Sequence, residues 1–338
     1  MLLTKFPGDP LHSPSIKWLT ITAAIALSAV NMGTAAAAEE WPNRSIKWIV
    51  PFSAGGANDL VARTAAEAVG KRLGQTIIIE NKPGGGTIIA TDYVAKSKAD
   101  GYTFLIGAAG VVTNSFLREK LPYADSDIVP VAMIATSPSV IVVHPSLPVN
   151  TLKEFIKYAR KQGKEGVNFA TAGSGSTPDF VIEMLKDATG ANFTAIPFKS
   201  GQESVTGVLG NQVTATSESS VVVLPHIKAG KLKALAATSE KPISSYTMIP
   251  TTAALGYPAV RIEHWAGLFA PKGTPQPIID RMNAEIQAAL KTKEMQDKLI
   301  PSGIEPAPGS VAQFVSFIAG ERERLGRIAK KAGMKADH

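Results

Sequence analysis

From residue 45 onward, short apolar strands alternate with amphipathic helices along the sequence. Residues 45–50 alternate apolar and polar side chains, which is typical of a strand, and apolar residues recur at helical spacing from Leu60 to Leu73. The same order of strand, loop and helix returns several times further along the chain. Such alternation predicts parallel strands joined by crossover helices. The expected fold class is therefore α/β.

The first loop of this pattern, residues 51–58, contains two adjacent glycines. Gly55 and Gly56 have no Cβ, so the backbone here can approach a ligand closely. Asn58 or Asp59 is predicted to cap the following helix. Free N–H groups and the helix dipole favour anions at a helix N-terminus. The loop is therefore a candidate site for a carboxylate or a similar small anion, and a plain strand-to-helix turn is the alternative.

A second loop, residues 171–179, repeats the arrangement. It follows a predicted strand at 167–170 and precedes a predicted helix that runs to residue 188, with Pro178 suited to the first helical turn. Glycines and hydroxyl-bearing residues alternate within it. Two such loops in separate αβ blocks are interpreted as two halves of one site.

Two segments are predicted to connect the αβ blocks. Strands are expected at 131–135 and 140–144, and the Ser/Pro-containing stretch between them, 136–139, is the first candidate crossing. Residues 261–269 are expected to return the chain to the first block. Two crossings between two blocks are typical of a hinge. The predicted lobes are 39–140 with 265–338, and 141–264. In the first lobe, loops at 52–58, 83–87 and 108–113 are expected at the carboxyl edge of the sheet.

The first 38 residues predict a secretory signal peptide. Basic residues precede an apolar run at 18–30 that is too short to span a bilayer, and Ala36 and Ala38 provide a small-residue cleavage pattern. We expect cleavage near Ala38 and a soluble periplasmic protein. The sequence contains no cysteine, which excludes a lipoprotein anchor, disulfides and thiolate chemistry.

Charge and motifs exclude several other functions. The formal net charge is +7 and the basic residues are dispersed, apart from a run at 322–335 that we interpret as the solvated face of a helix. The histidines show no metal-ligand spacing, and P-loop, dinucleotide-binding and nucleophile-elbow motifs are absent from the sequence. We therefore expect no catalytic site, no metal, no cofactor and no nucleic-acid partner.

Several short motifs occur in the order and spacing of one family of transport proteins. The chain resembles the periplasmic solute-binding proteins of tripartite tricarboxylate transporters, the Bug-type receptors. This resemblance implies a type II periplasmic-binding-protein fold with two αβ lobes around a hinged ligand cleft. It also implies a small carboxylate ligand and transporter membrane subunits as partners, and we expect a monomer. The motifs include Ile49-Val50-Pro51-Phe52-Ser53-Ala54-Gly55-Gly56, Glu80-Asn81-Lys82-Pro83-Gly84, Asp100-Gly101-Tyr102-Thr103, Ala172-Gly173-Ser174-Gly175-Ser176 and Ala270-Pro271-Lys272-Gly273-Thr274-Pro275.

The resemblance also implies which residues bind the ligand. The first clamp consists of Phe52, Ser53, Ala54, Gly55, Gly56 and Asp59, the second of Ser174, Gly175, Ser176, Thr177 and Asp179, and Phe198 and Lys199 lie near the cleft. Asp179 stands where the family often has His, so it either weakens carboxylate binding or caps its helix.

The roles of three of these side chains stay open at the level of sequence. Asp59 either orders a water at the ligand or only caps its helix. Phe198 either packs against the ligand or belongs to the core, and Lys199 either pairs with a ligand anion or is solvated.

Two alternative functions also stay open. A secreted hydrolase or isomerase on the same fold would need an acid–base pair, for which Asp59, Asp179 and Glu218 are available. A sensory receptor that presents its closed form to a membrane kinase would use the same binding chemistry.

Overall fold

The computed structural model of this protein describes residues 1–4, 8 and 40–335. The chain divides into two compact units, Met1–Asn43 and Arg44–His338. The predicted signal peptide falls almost entirely outside the described residues, and so does its cleavage site near Ala38. Among the described residues, no helix is both long and apolar enough to cross a membrane.

The second unit is built around one hydrogen-bonded sheet. Along the main path of the sheet the strand order is 2-1-3-9-4-7-5-6, and strands 8 and 10 also pair with strand 4. The strands are β1 Ile46–Val50, β2 Ile77–Asn81, β3 Thr103–Gly107, β4 Ile128–Val143, β5 Val167–Thr171, β6 Phe193–Pro197, β7 Ala215–Ser219, β8 Lys233–Ala237, β9 Glu263–Pro271 and β10 Glu305–Pro306.

Helices follow most of the strands, as the alternating pattern predicts. They are α1 Ala57–Leu73, α2 Ile88–Ala95, α3 Ala109–Leu117, α4 Leu152–Lys161, α5 Thr177–Thr189, α6 Gly201–Leu209, α7 Ser220–Lys228, α8 Gln276–Leu290, α9 Lys293–Leu299 and α10 Val311–Ala332, with 3-10 turns at Gly85–Thr87, Asp125–Asp127 and Ile300–Ser302.

The long strand β4 joins two halves of the sheet. Residues 128–138 of β4 pair antiparallel with β9, and residues 139–143 pair with β7 and β8. On one side β1 lies parallel between β2 and β3, and on the other β5 lies parallel between β6 and β7. The predicted α/β class with parallel strands and crossover helices is confirmed. The carboxyl ends of β1 and β5 therefore carry the two glycine-rich loops.

The expected separation of two strands at 136–139 is wrong, because β4 continues through this stretch. Pro138 lies opposite Glu263 as the last β4 residue paired with β9, and Ser139 begins the pairing with β7. A proline has no N–H to donate to a ladder, and this position is where β4 exchanges one set of neighbours for another. The loop expected at 108–113 is also wrong, since α3 occupies most of it.

Three clusters of buried side chains among residues 40–335 contribute to the core. One contains Ile49, Leu105 and Trp265 from the first half of the sheet, and another contains Phe155, Phe169 and Phe180 from the second half. The third surrounds α6 and α7. Helix α10 contributes to the first two clusters, with Phe314 and Ile318 in one and Leu325 and Ala329 in the other. The C-terminal helix α10 therefore packs against both halves of the sheet. The lobe boundaries at 140 and 264 stay a prediction.

Candidate functional site

The first glycine-rich loop ends where α1 begins. The helix starts at Ala57 and Gly56 is its N-cap residue. The expectation that Asn58 or Asp59 caps α1 is therefore wrong. Asp59 lies in the first turn instead, and its carboxylate reaches back to accept the Gly55 N–H at 2.9 Å. Gly55 has a φ of +86°, a conformation that glycine adopts without strain.

The Asp59 carboxylate is the centre of a small network that shapes this loop. One carboxylate oxygen accepts from Gly55 and from Arg63 Nε, each at 2.9 Å, and the other accepts from Asn81 Nδ2 at 2.9 Å. Burial raises the pKa of Asp59, but the hydrogen bonds from Arg63, Gly55 and Asn81 outweigh it and hold that pKa below its usual value. Both oxygens are thus occupied by protein donors, which favours a role for Asp59 in supporting the loop.

Asn81 connects this network to the backbone of the loop. Its amide donates to the Phe52 carbonyl oxygen at 2.9 Å and its oxygen accepts from Arg63 Nη2 at 3.0 Å. Asn81 belongs to one of the motifs that carry the family resemblance, but it is not among the site residues that this resemblance implies. A usable signal was present, because Asn81 ends β2 and β2 is paired with β1. Polar residues at the carboxyl ends of adjacent parallel strands meet at one edge of the sheet.

The second loop has the same local geometry. Helix α5 begins at Thr177 after the N-cap residue Ser176, and Pro178 lies in its first turn, as predicted. Gly175 has a φ of +76°, and its N–H donates to the Asp179 carboxylate at 2.8 Å. Asp179 is therefore equivalent to Asp59, since each is the third residue of its helix and accepts a hydrogen bond from a glycine of the preceding loop. Of the two roles left open for Asp179, this contact favours support of its own helix and loop.

The serine hydroxyls of the second loop donate to backbone carbonyls. Ser176 Oγ donates to the Gly173 oxygen at 2.6 Å and Ser174 Oγ donates to the Lys335 oxygen at 2.5 Å. The hydroxyl protons are therefore directed at the protein. The donors best suited to an anion are the first-turn N–H groups of α1 and α5, which have no acceptor within their own helix.

The two helix ends differ in the number of these donors. The first turn of α1 offers the N–H groups of Ala57 and Asn58, whereas Pro178, at the α5 position that corresponds to Asn58, has no N–H. The first turn of α1 therefore offers one backbone donor that the first turn of α5 lacks.

Phe198 and Lys199 follow β6. The Phe198 N–H donates to the Thr171 oxygen of β5 at 2.9 Å, and both residues also contact α6. Phe198 is partly buried and packs against the cluster that contains Val205, Val208 and Val213. Lys199 is exposed and its N–H donates to the Glu203 carboxylate at 3.3 Å. Of the roles left open, these contacts favour a core position for Phe198 and a solvated Lys199 side chain.

Comparison with known proteins identifies the family. The sequence model described as "Tripartite tricarboxylate transporter family receptor" matches residues 61–334. The chain belongs to this family. It is a solute-binding receptor with the α/β fold of periplasmic binding proteins.

Individual relatives agree with this assignment. The receptor is 35% identical over 320 residues to BugT of Bordetella pertussis, covering 93% of this chain and 98% of BugT. It is 33% identical to Rpa4515 of R. palustris, whose structure with adipate superposes with a TM-score of 0.81 and covers 88% of this chain and 99% of that one. MatC of Rhodopseudomonas palustris, solved with bound malate, is 28% identical, with a TM-score of 0.76 and coverage of 85% and 99%.

A buried polar junction lies where β4 exchanges its neighbours. The Glu218 carboxylate lies 3.4 Å from Ser204 Oγ, 3.4 Å from the Ser219 nitrogen and 3.9 Å from His264 Nε2. Burial raises the pKa of Glu218 to about 7 and lowers the pKa of His264 to about 4. Burial therefore disfavours the charged form of both groups.

His264 also lines a small cavity that reaches the start of α1. The cavity has a volume of about 10 Å³, and Ala57 and Asn58 line it together with His264 and Ser137. This volume is near the smallest that holds a water molecule. The junction of the crossing strands is thus a direct neighbour of the α1 N-terminus. Among the described residues, no group of three or more acidic or histidine side chains is arranged to hold a metal ion.

Proposed function

We propose that this receptor captures a small organic carboxylate in the periplasm and delivers it to the membrane subunits of a tripartite tricarboxylate-type transporter. The observation that carries the proposal is the pair of matching loops, each ending at a helix N-terminus and each held by a glycine N–H bonded to an aspartate. The relatives with adipate and with malate support the same ligand class.

The proposed ligand is a short aliphatic dicarboxylate with one carboxylate between the two loops. The N–H groups of Ala57 and Asn58 at α1 provide the larger share of the donors, and the α5 end provides the rest. Each helix end contributes about 0.3–1 kcal/mol to anion binding, and up to about 2 kcal/mol when partly buried. Of the residues expected from the sequence, residues 52–56 and 175–177 are the proposed contacts, and Asp59 and Asp179 support their loops.

The proposal includes a hinge between two lobes, 39–140 with 265–338, and 141–264. Both β4 and β9 lie at the predicted crossings, and β4 is paired with strands of both halves of the sheet. Closing around the ligand would exclude water and strengthen the charge-assisted hydrogen bonds to its carboxylate.

A thermal-shift panel tests the proposed ligand class. The chain from residue 39 onward is heated with monocarboxylates, dicarboxylates, tricarboxylates, amino acids and aromatic acids. A ligand that binds only the folded state raises stability by about 2.7 kcal/mol at one hundred times its Kd. We expect a clear rise with at least one aliphatic dicarboxylate. No rise with any carboxylate would contradict the proposal.

We also propose that the receptor does not convert its ligand. The Asp59 carboxylate accepts hydrogen bonds from Gly55 and Arg63, and the Asp179 carboxylate accepts one from Gly175, so both support the backbone of their own loops. Mass spectrometry of a bound acid after prolonged incubation with the receptor should recover it unchanged. Formation of a product would favour the alternative of a hydrolase or isomerase.

A further inference from the structure

The second loop is contacted by the C-terminal end of the described chain. Ser174 Oγ donates a hydrogen bond to the carbonyl oxygen of Lys335, 161 positions away in sequence. Lys335 follows α10, which is closed by Gly333 at a φ of +65°. The left-handed residue turns the chain out of the helix and towards the loop.

The C-terminal residues are held in place by their own packing. The Met334 N–H donates to the Ala329 oxygen at 2.9 Å, and the Met334 side chain packs partly buried against the core cluster that contains Phe180 of α5. Lys331 forms an ion pair with Asp187, which also belongs to α5. The carbonyl that accepts from Ser174 is therefore presented by an ordered segment.

Leu117, the last residue of α3, meets the same loop at Gly175. A Cβ placed on Gly175 would lie 2.3 Å from Leu117 Cδ1. Leu117 is 5% exposed and belongs to the cluster that also contains Leu325 of α10. The glycine therefore provides the space that Leu117 fills. Two segments that are remote in sequence thus contact the loop at neighbouring residues.

We propose that residues 333–335 together with Leu117 form a C-terminal clasp, which fixes the position of the second loop and thereby sets the ligand affinity of the receptor. A glycine-rich loop loses conformational freedom when it grips a ligand, and a loop ordered in advance loses less. The link to affinity rests on the proposed function. The ordering of the loop by the clasp does not.

The clasp gives Ser174 a role that differs from ligand binding. If its hydroxyl contacted the ligand directly, removal of the Lys335 carbonyl would free the hydroxyl and tighten binding. If the hydroxyl acts through the clasp, the same removal weakens binding. Truncation and substitution can therefore separate the two roles.

Hydrogen exchange in the absence of ligand tests the clasp itself. A chain that ends at Gly333 is compared with a control that ends at Lys335, and Ser174→Ala is made in both. In the chain that ends at Gly333 we expect faster amide exchange at residues 172–176 than in the full chain. In the control that ends at Lys335 we expect the same exchange as in the full chain. Ser174→Ala should speed exchange in the control and have little further effect in the shorter chain. Equal exchange in the two chains would overturn the proposal.

Titration with adipate tests the link to affinity. Loss of one hydrogen bond corresponds to about a fivefold weaker affinity, so we expect at least this loss in the chain that ends at Gly333. Lys330→Ala, at an exposed position of α10, should change the Kd little. Faster exchange with an unchanged Kd would overturn the link between clasp and affinity. If no carboxylate binds any of the chains, the proposed function fails, while the exchange result still decides whether the clasp exists.

Discussion

At the scale of residues, the first loop is shaped by side chains that do not belong to it. Asp59, Arg63 and Asn81 come from two different elements, and together they fix the Gly55 N–H and the Phe52 carbonyl. An anion site made of backbone N–H groups depends on such supports, because the N–H groups have no side chain of their own to orient them.

Asn81→Ala should loosen the first loop. The substitution removes the donor to both Asp59 and the Phe52 carbonyl, and the loss of such hydrogen bonds costs about 1–3 kcal/mol when the partners stay buried. We expect a lower free energy of unfolding and a weaker affinity for the ligand. Denaturant unfolding and calorimetry measure the two. Asn168→Ala, at an exposed position of β5, is the control, and an equal effect of both variants would contradict this role for Asn81.

Glu218→Gln should change how the stability of the receptor depends on pH, because the carboxyl that it replaces is buried at the junction. The folded chain holds the Glu218 proton up to about pH 7, whereas the unfolded chain releases it near pH 4.5. Stability contributed by the neutral form is therefore present below pH 4.5 and is lost as the pH rises from 4.5 to about 7. As the pH rises through this window, the unmodified receptor should lose stability relative to the Glu218→Gln variant. A difference that does not change with pH in thermal unfolding would contradict it.

His264 should act in the opposite direction at the same junction. Its folded pKa of about 4 lies below the usual 6.5, so the unfolded chain takes up a proton first as the pH falls. Stability is therefore present above pH 6.5 and is lost as the pH falls towards 4. His264→Gln should remove this loss, as measured by thermal unfolding over the same pH series. An equal acid dependence in the variant would show that another group is responsible.

The sequence predicted the positions of both loops but not the partners that hold them. Gly55, Gly175, Asp59 and Asp179 were identified because each loop is continuous in sequence. Arg63 and Asn81 act on the first loop, and Lys335 and Leu117 act on the second, through contacts between elements. Such contacts depend on how the elements pack, which local pattern does not encode.

At the scale of elements, the two helix ends are built alike and differ in one backbone donor. Residue 58 is an asparagine with an N–H, and the corresponding position of α5 is Pro178, which has none. The first turn of a helix accepts either residue without disruption of the helix. The donor can therefore be removed by substitution while the helix is kept.

Asn58→Pro should weaken ligand binding with little change in stability. It removes the residue 58 N–H at α1 and reproduces the arrangement found at α5. Asn58→Ala removes the side chain and keeps the N–H, so it serves as the matched control. Calorimetric titration should show a weaker affinity for the proline variant than for the alanine variant, by about fivefold for one lost donor. Equal affinities would mean that this N–H does not contact the ligand.

Gly175→Ala should destabilise the receptor more than Gly55→Ala. Both glycines have a left-handed φ, which costs a side-chain-bearing residue about 1–2 kcal/mol. A Cβ on Gly175 also collides with Leu117, whereas a Cβ on Gly55 meets no described atom within 4 Å. Denaturant unfolding measures both variants, and Leu117→Ala should relieve part of the extra cost in a double-mutant cycle. Equal losses, or additivity in the cycle, would contradict the contact.

Element boundaries were predicted well where the local signals agree. Strands β1 and β5 lie within one residue of their expected limits, 45–50 and 167–170. The continuity of β4 was missed because Pro138 between serines is typical of a turn, and only the exchange of strand partners makes it acceptable in a sheet. Helix α3 was missed because its small and β-branched residues give a weak helical pattern.

At the scale of the whole receptor, elements that pack with both halves of the sheet connect the proposed ligand site to segments remote in sequence. Strand β4 and helix α10 each pack with both halves, and the second glycine-rich loop touches the C-terminal end. The ligand site proposed here is therefore coupled to segments that lie far from it in sequence. Family membership and the overall fold could be predicted from ordered short motifs, whereas this coupling required the packed structure.

The central claim is that the receptor binds a small carboxylate at the end of α1. Isothermal titration of the chain from residue 39 onward with aliphatic dicarboxylates, adipate and malate among them, tests it most directly. We expect saturable binding of at least one dicarboxylate with a stoichiometry of one, weakened by Asn58→Pro and little affected by Asn58→Ala. Saturable binding that is insensitive to both variants would place the ligand elsewhere, and the absence of saturable binding across the series would contradict the claim.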